Sequence, residues 1–88
     1  MTYRIFLHPK AKKALDKLDP KMGGRIREKI RELRELPRQG EHLRYSPFWK
    51  LRIGNYRVIY EIDEERRRVI ILFIGHRRTV YDVFSKLL

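Results

Sequence analysis

Eighty-eight residues suit one folded unit with a single modest core, so the chain is read as one domain over residues 1–88. Twenty-two Lys and Arg against eleven Asp and Glu give a net charge of +11, which points to a polyanionic partner, nucleic acid first. With 42% hydrophobic residues the 38% charged fraction does not imply disorder, and the absence of cysteine excludes disulfides, thiol nucleophiles and thiolate zinc sites together.

In chain order, Tyr3 to Leu7 (YRIFL) alternates and is rich in strand formers, predicting a first strand. Pro9 then opens a short helix whose Ala11, Ala14, Leu15 and Leu18 share one stripe. Asp19 is placed as the N-cap of a second helix, with Pro20 in its first turn, running to Leu36 before Pro37. Met22, Ile26, Ile30, Leu33 and Leu36 form its buried stripe, and the two helices form an antiparallel hairpin. Residues 38 to 47 carry turn residues without a period and read as a loop.

Three strands follow, Phe48 to Ile53, Tyr56 to Ile62 and Arg68 to Gly75. The last is apolar at every position from Val69 to Ile74, the mark of a central strand covered on both faces, with the first strand beside it. That run is far shorter than the roughly 20 residues that span a bilayer. The N-terminus MTYRIFLHPK lacks the pattern of a signal peptide, so a cytoplasmic protein with no membrane partner is expected. Val80 to Leu88 fits either a short final helix or a tail. The order β-α-α-β-β-β predicts a two-layer α+β fold, a mostly antiparallel sheet packed on a helical hairpin.

The stretch KLRIGNYRVIY, Lys50 to Tyr60, sets the register. A two-residue Gly54-Asn55 loop, with glycine first as a type II′ turn prefers, puts Ile53 opposite Tyr56 and Arg52 opposite Arg57. Trp49, Leu51, Ile53, Tyr56, Val58 and Tyr60 then share the helix-facing surface. Lys50, Arg52 and Arg57 share the other. Like charges directly opposite cost on the order of 0.2–1 kcal/mol, a penalty that a bound phosphate reverses.

Taken singly, each cation also fits a solvated sheet face that resists edge aggregation. Together they are harder to explain that way. His42 to Tyr60 holds four cations, among them Arg44, and no acid; Arg66 to Tyr81 holds five more, among them Arg77 and Arg78, again with no acid. GHRRTVY, Gly75 to Tyr81, is expected to bring His76, Arg77 and Tyr81 to the mouth of the Arg52 and Arg57 face.

No carboxylate or histidine set has metal-ligand spacing, no glycine-rich phosphate loop is present, and neither serine sits in a nucleophile motif. No metal or cofactor is expected. What such a surface suits is RNA cleavage in which the 2′-hydroxyl is the nucleophile. Arginines stabilise charge on phosphorus, and His76, Tyr81 or Lys50 moves protons.

LRIGNYRVIYEI followed by IGHRRTVY, with PKAKKALDKLDP after a first strand, resembles the RelE/ParE superfamily of toxin-antitoxin toxins, specifically its RelE-like branch. The resemblance covers nearly the whole chain. It implies a microbial-ribonuclease-like α+β fold, a ribosome-dependent mRNA endoribonuclease that cuts A-site mRNA, and a RelB-like antitoxin that blocks the basic surface. It implies Arg52, Arg57 and Arg77 as phosphate-binding and transition-state residues, with Tyr81 and Lys50 completing the catalytic set. His76 is an auxiliary group, and Arg44 and Arg78 are RNA contacts.

Some ribosome-dependent relatives use a glutamate and a histidine as base and acid. With no acid between His42 and Tyr60, the all-basic version is the expectation here. The alternatives are a ParE-like toxin that poisons DNA gyrase without cleaving RNA, and a basic RNA- or ribosome-binding module without catalysis.

Overall fold

The computed structural model describes residues 2–80, which run β1 (Arg4–Leu7), α1 (Pro9–Asp16), α2 (Pro20–Glu32), β2 (Glu41–His42), β3 (Phe48–Ile53), β4 (Tyr56–Asp63) and β5 (Arg68–His76). Local chemistry starts both helices. The His8 ring accepts the Lys10 N–H ahead of Pro9, and the Asp19 carboxylate accepts the Met22 N–H at 3.1 Å ahead of Pro20.

α2 stops at Glu32, a turn short of the expected Leu36. Leu33, Arg34 and Glu35 each donate to the carbonyl three residues back, which tightens the helix end. That turn swings Leu36 off the buried stripe, and its side chain is exposed. An Arg27–Asp16 ion pair at 2.9 Å ties α2 to α1.

The sheet order is β1-β5-β4-β3-β2, with β1 parallel to β5 and the other pairs antiparallel. β5 therefore lies inside the sheet with β1 beside it, as its unbroken apolar run implies. Ala11, Leu15, Ile26, Ile30 and Leu33 from the helical layer pack on Leu51, Ile53, Val58, Tyr60, Val69, Ile71 and Ile74 of the sheet. Each Val, Leu or Ile among them contributes roughly 1.5–3 kcal/mol on full burial.

The β3–β4 hairpin has the expected register, from Ile53 opposite Tyr56 to Trp49 opposite Tyr60. Gly54 sits at φ +57° and Asn55 does not take a positive φ, the signature of a type II′ turn.

Three features depart from the linear reading. Residues 38–47 contain β2, which pairs Glu41 with Lys50 and His42 with Trp49 and makes a fifth strand. A bulge sets Ile59 opposite Phe73 but Tyr60 opposite Ile71, re-aiming the end of β5. The sheet face away from the helices is also partly apolar. Ile59 is only 1% exposed there, and Val80 packs beside Gly75, where an added Cβ would stand 3.3 Å from the Val80 methyl. Residues 77–80 are helical, and the His76 ring accepts the Arg78 N–H at 3.4 Å at their start. The remainder of the segment read as a helix or a tail, residues 81–88, lies outside the described residues. Among the described residues no helix is long and apolar enough to cross a membrane.

Candidate active site

The type II′ turn forces Arg52 and Arg57 directly opposite each other, because a two-residue loop leaves no other pairing. Arg57 does not swing free. Its Nη1 donates to the carbonyls of Gly54 and Tyr56, both at 2.9 Å, folding the guanidinium back over the turn. Gly75 is its partner on β5, and the space a side chain would take there is filled by the Phe73 ring and the Val80 methyl, 3.0 and 3.3 Å from where a Cβ would stand. The Arg77 N–H donates to the Asn55 carbonyl at 2.7 Å, which pins the start of the helical residues 77–80 to the same turn.

Arg77 thus joins the pair. Loss of hydration, followed by the charges of Arg52 and Arg77, pushes the Arg57 guanidinium below its ordinary value. Three like charges held together by the backbone form a site that favours an anion.

Beside them, a cleft of about 370 Å³ is lined by Gln39, Gly40, Glu41, Lys50, Leu51, Arg52 and Arg57. Pairing of β2 with β3 puts Glu41 opposite Lys50, with its carboxylate 3.9 Å from the Lys50 ammonium and its side chain 70% exposed. Linear inspection missed this acid, which lies one residue outside the acid-free stretch that begins at His42. A two-residue strand is too short to show periodicity. The available signal was the Gly40-Glu41 pair leaving a turn shortly before the hairpin.

A buried phenol holds that wall of the cleft. Tyr60 O–H donates to the Pro37 carbonyl at 2.7 Å and accepts the Gly40 N–H at 3.2 Å. Burial pushes the phenol up from its ordinary value, with the Gly40 N–H opposing. Gly40 has no room for a side chain, since a Cβ would lie 2.6 Å from the Tyr60 oxygen and 2.7 Å from the Lys50 carbonyl.

The remaining site residues of the linear reading separate. His76 pairs with Tyr56 and meets its ring edge-on at 5.7 Å, on the helix-facing side of the sheet, and its Nδ1 serves the Arg78 N–H. The expectation that His76 joins the arginine face is therefore not met in this structure: strand alternation turns it away from Arg57. Arg78 lies exposed on the helical residues 77–80. Arg44 stands at the far end of β3, its guanidinium 5.8 Å from the Tyr45 ring centre. Tyr81 lies outside the described residues. Among the described residues no group of three or more His, Asp or Glu side chains could hold a metal ion.

In comparisons with known proteins, residues 5–81 match a family model described as the ParE toxin of the type II toxin-antitoxin system parDE. Toxin RelG of Mycobacterium tuberculosis is 34% identical over 85 residues, covering 92% of this chain and 98% of RelG. The RelBE2 toxin-antitoxin complex of the same organism superposes with a TM-score of 0.80 at 31% identity, covering 88% of this chain and 100% of that one. A variant of Escherichia coli RelE in the free state gives a TM-score of 0.83 at 26% identity, covering 97% and 93%. The archaeal RelE–RelB complex from Pyrococcus horikoshii OT3 gives 0.75 at 29% identity, covering 88% and 97%.

Proposed function

The chain belongs to the RelE/ParE family of type II toxin-antitoxin toxins as a RelE-like member, and from that premise we propose that it is a metal-independent, ribosome-dependent mRNA endoribonuclease. The observation that carries the reading is the cross-strand pair of Arg52 and Arg57, with the Arg77 backbone bonded to the same turn, beside the cleft that Lys50 and Glu41 line.

In this reaction the RNA 2′-oxygen attacks the adjacent phosphorus, and the bond from phosphorus to the 5′-oxygen breaks. The products are a 2′,3′-cyclic phosphate and a free 5′-hydroxyl. The three guanidiniums bind the phosphate and stabilise the charge that builds on its oxygens, where each donor aimed at developing charge contributes roughly 10²–10³ in rate. A carboxylate accepts hydrogen bonds and protons, so Glu41 receives the proton of the 2′-hydroxyl, with the Lys50 ammonium orienting it. The family resemblance puts Tyr81 in the catalytic set, and its phenol is the group assigned here to give a proton to the leaving 5′-oxygen. His76 acts as a positioning residue that starts the helical turn carrying Arg77 and Arg78.

An acidic antitoxin of the RelB type is the expected inhibitor, supported by relatives solved in such complexes. Primer extension on mRNA from cells expressing the toxin alone tests the proposal. Codon-phased cuts are expected, lost in Arg57→Ala and Arg77→Ala. Unchanged cutting in both variants would overturn the site assignment.

The ParE description of the matching family model favours a second reading, a toxin that binds DNA gyrase and cleaves no RNA. Growth arrest without codon-phased cuts, with gyrase inhibited, would select it.

A further inference from the structure

Between β2 and β3, residues 43–47 form a loop whose tip is built rather than slack. The Leu43 N–H donates to the Phe48 carbonyl at 2.9 Å, and Ser46 Oγ donates to the Leu43 carbonyl at 2.8 Å while accepting the Phe48 N–H at 3.2 Å. His42 Nε2 meets the Ser46 carbonyl at 2.8 Å, and the His42 ring packs on Trp49 at 4.9 Å. Tyr45 takes no part in these bonds. Its backbone is held at φ +60°, a region that a bulky side chain rarely enters, and its side chain is 96% exposed. Tyr3 and Tyr60, by contrast, are buried in the core.

A folding role does not account for an aromatic ring presented to water on a braced, strained tip; strain of this kind clusters at binding sites. The ring's partner is the Arg44 guanidinium at 5.8 Å. Arg44 and Tyr45 lie in the acid-free stretch that leads to Lys50 and Arg52. At ~3.4 Å per residue, Lys50 lies roughly 10 Å along the chain from the loop's end at Pro47. A cation for phosphate beside a free π-face for a base is the recurring pair in single-strand recognition.

We propose that Tyr45 and Arg44 form a stacking subsite for an unpaired base of the RNA strand whose phosphate lies in the Lys50, Arg52 and Arg57 cleft; this rests on the ribonuclease reading above. The ring stacks on the base, and Arg44 holds the phosphate that follows it. The subsite positions the strand and takes no part in the bond changes.

The test uses the full chain without antitoxin and a short 2′-O-methyl RNA carrying one 2-aminopurine, which cannot be cleaved and whose fluorescence falls on stacking. A second oligomer is abasic at that position. Wild-type protein quenches the first probe. Tyr45→Gly, which removes the ring and suits the positive φ, abolishes the quench and weakens binding roughly 5- to 100-fold, whereas Tyr45→Phe stays within about twofold. The abasic probe binds wild type and Tyr45→Gly alike.

Arg57→Ala weakens both probes equally. If it changes neither while the Tyr45 effect persists, the cleft reading falls and the stacking subsite stands. Absent quenching by wild type, or an equal loss on both probes in Tyr45→Gly, overturns the proposal. So does a Tyr45→Gly protein that binds RNA normally but no longer binds its antitoxin, which would make the loop a protein contact.

Discussion

Replacing Arg52 with glutamine should make the free protein more stable while it removes the toxin's activity. Arg52 and Arg57 are a direct cross-strand pair, with Arg77 adding a third charge. Like charges so placed cost on the order of 0.2–1 kcal/mol. Arg52→Gln keeps much of the side-chain length and leaves the Arg57 bonds to Gly54 and Tyr56 in place. For a domain of this size that relief raises the thermal midpoint by about 1–8 °C. The gain should shrink between 0.15 M and 1 M salt, as the screening length falls from about 8 Å to about 3 Å. Cleavage on translating ribosomes should fall roughly 10²–10³-fold over the same substitution. Thermal melts at the two salt concentrations, run beside a cleavage assay, measure both halves. A variant that is less stable at every salt concentration, or a gain that salt leaves untouched, would show that the arginines do not repel and that the anion-seeking argument fails.

Tyr60→Phe leaves the Pro37 carbonyl and the Gly40 N–H without a partner. It should cost about 1–3 kcal/mol in urea unfolding and speed hydrogen exchange at Gly40; unchanged stability would mean that the phenol does not hold the cleft wall. Glu41→Gln should lower cleavage roughly 10²–10⁴-fold while RNA binding is retained, since it removes a proton acceptor and a negative charge together. Full activity in that variant would pass the base role to Lys50. The hydrogen bond from Arg68, then the Arg66 N–H, holds the Asp63 carboxyl below its ordinary value. A depressed carboxyl stabilises the fold fully above its unfolded value of about 4 and loses that contribution as pH falls through the folded value. Melts between pH 5 and pH 2 should therefore decline less steeply for Asp63→Asn than for wild type, and identical slopes would refute the assignment.

Where the linear reading succeeded, the controlling interactions span only a few residues. Pro9, and Asp19 with Pro20, announce helix starts because a cap or a first-turn proline acts within one turn. Gly54-Asn55 fixes a register because the loop is too short to allow another. Where it failed, no period or spacing marked the contact: Leu36 leaves the buried stripe because bonds three residues back tighten the end of α2, and Ile59 is buried although it lies on the outer face of the sheet.

The amino-acid order alone determined the α+β layout, the apolar face of the hairpin and the opposition of Arg52 and Arg57, since alternation and turn chemistry are local. Only the tertiary structure decided which groups keep those arginines company. Glu41 reaches Lys50 because β2 adds to the sheet edge, and the Tyr60 phenol braces that approach across 23 residues of chain at Pro37. Arg77 arrives through a backbone bond to Asn55, while its neighbour His76 is turned to the other side against Tyr56. Proximity across such separations is set by core packing and sheet order, and neither leaves a period or a spacing in the sequence.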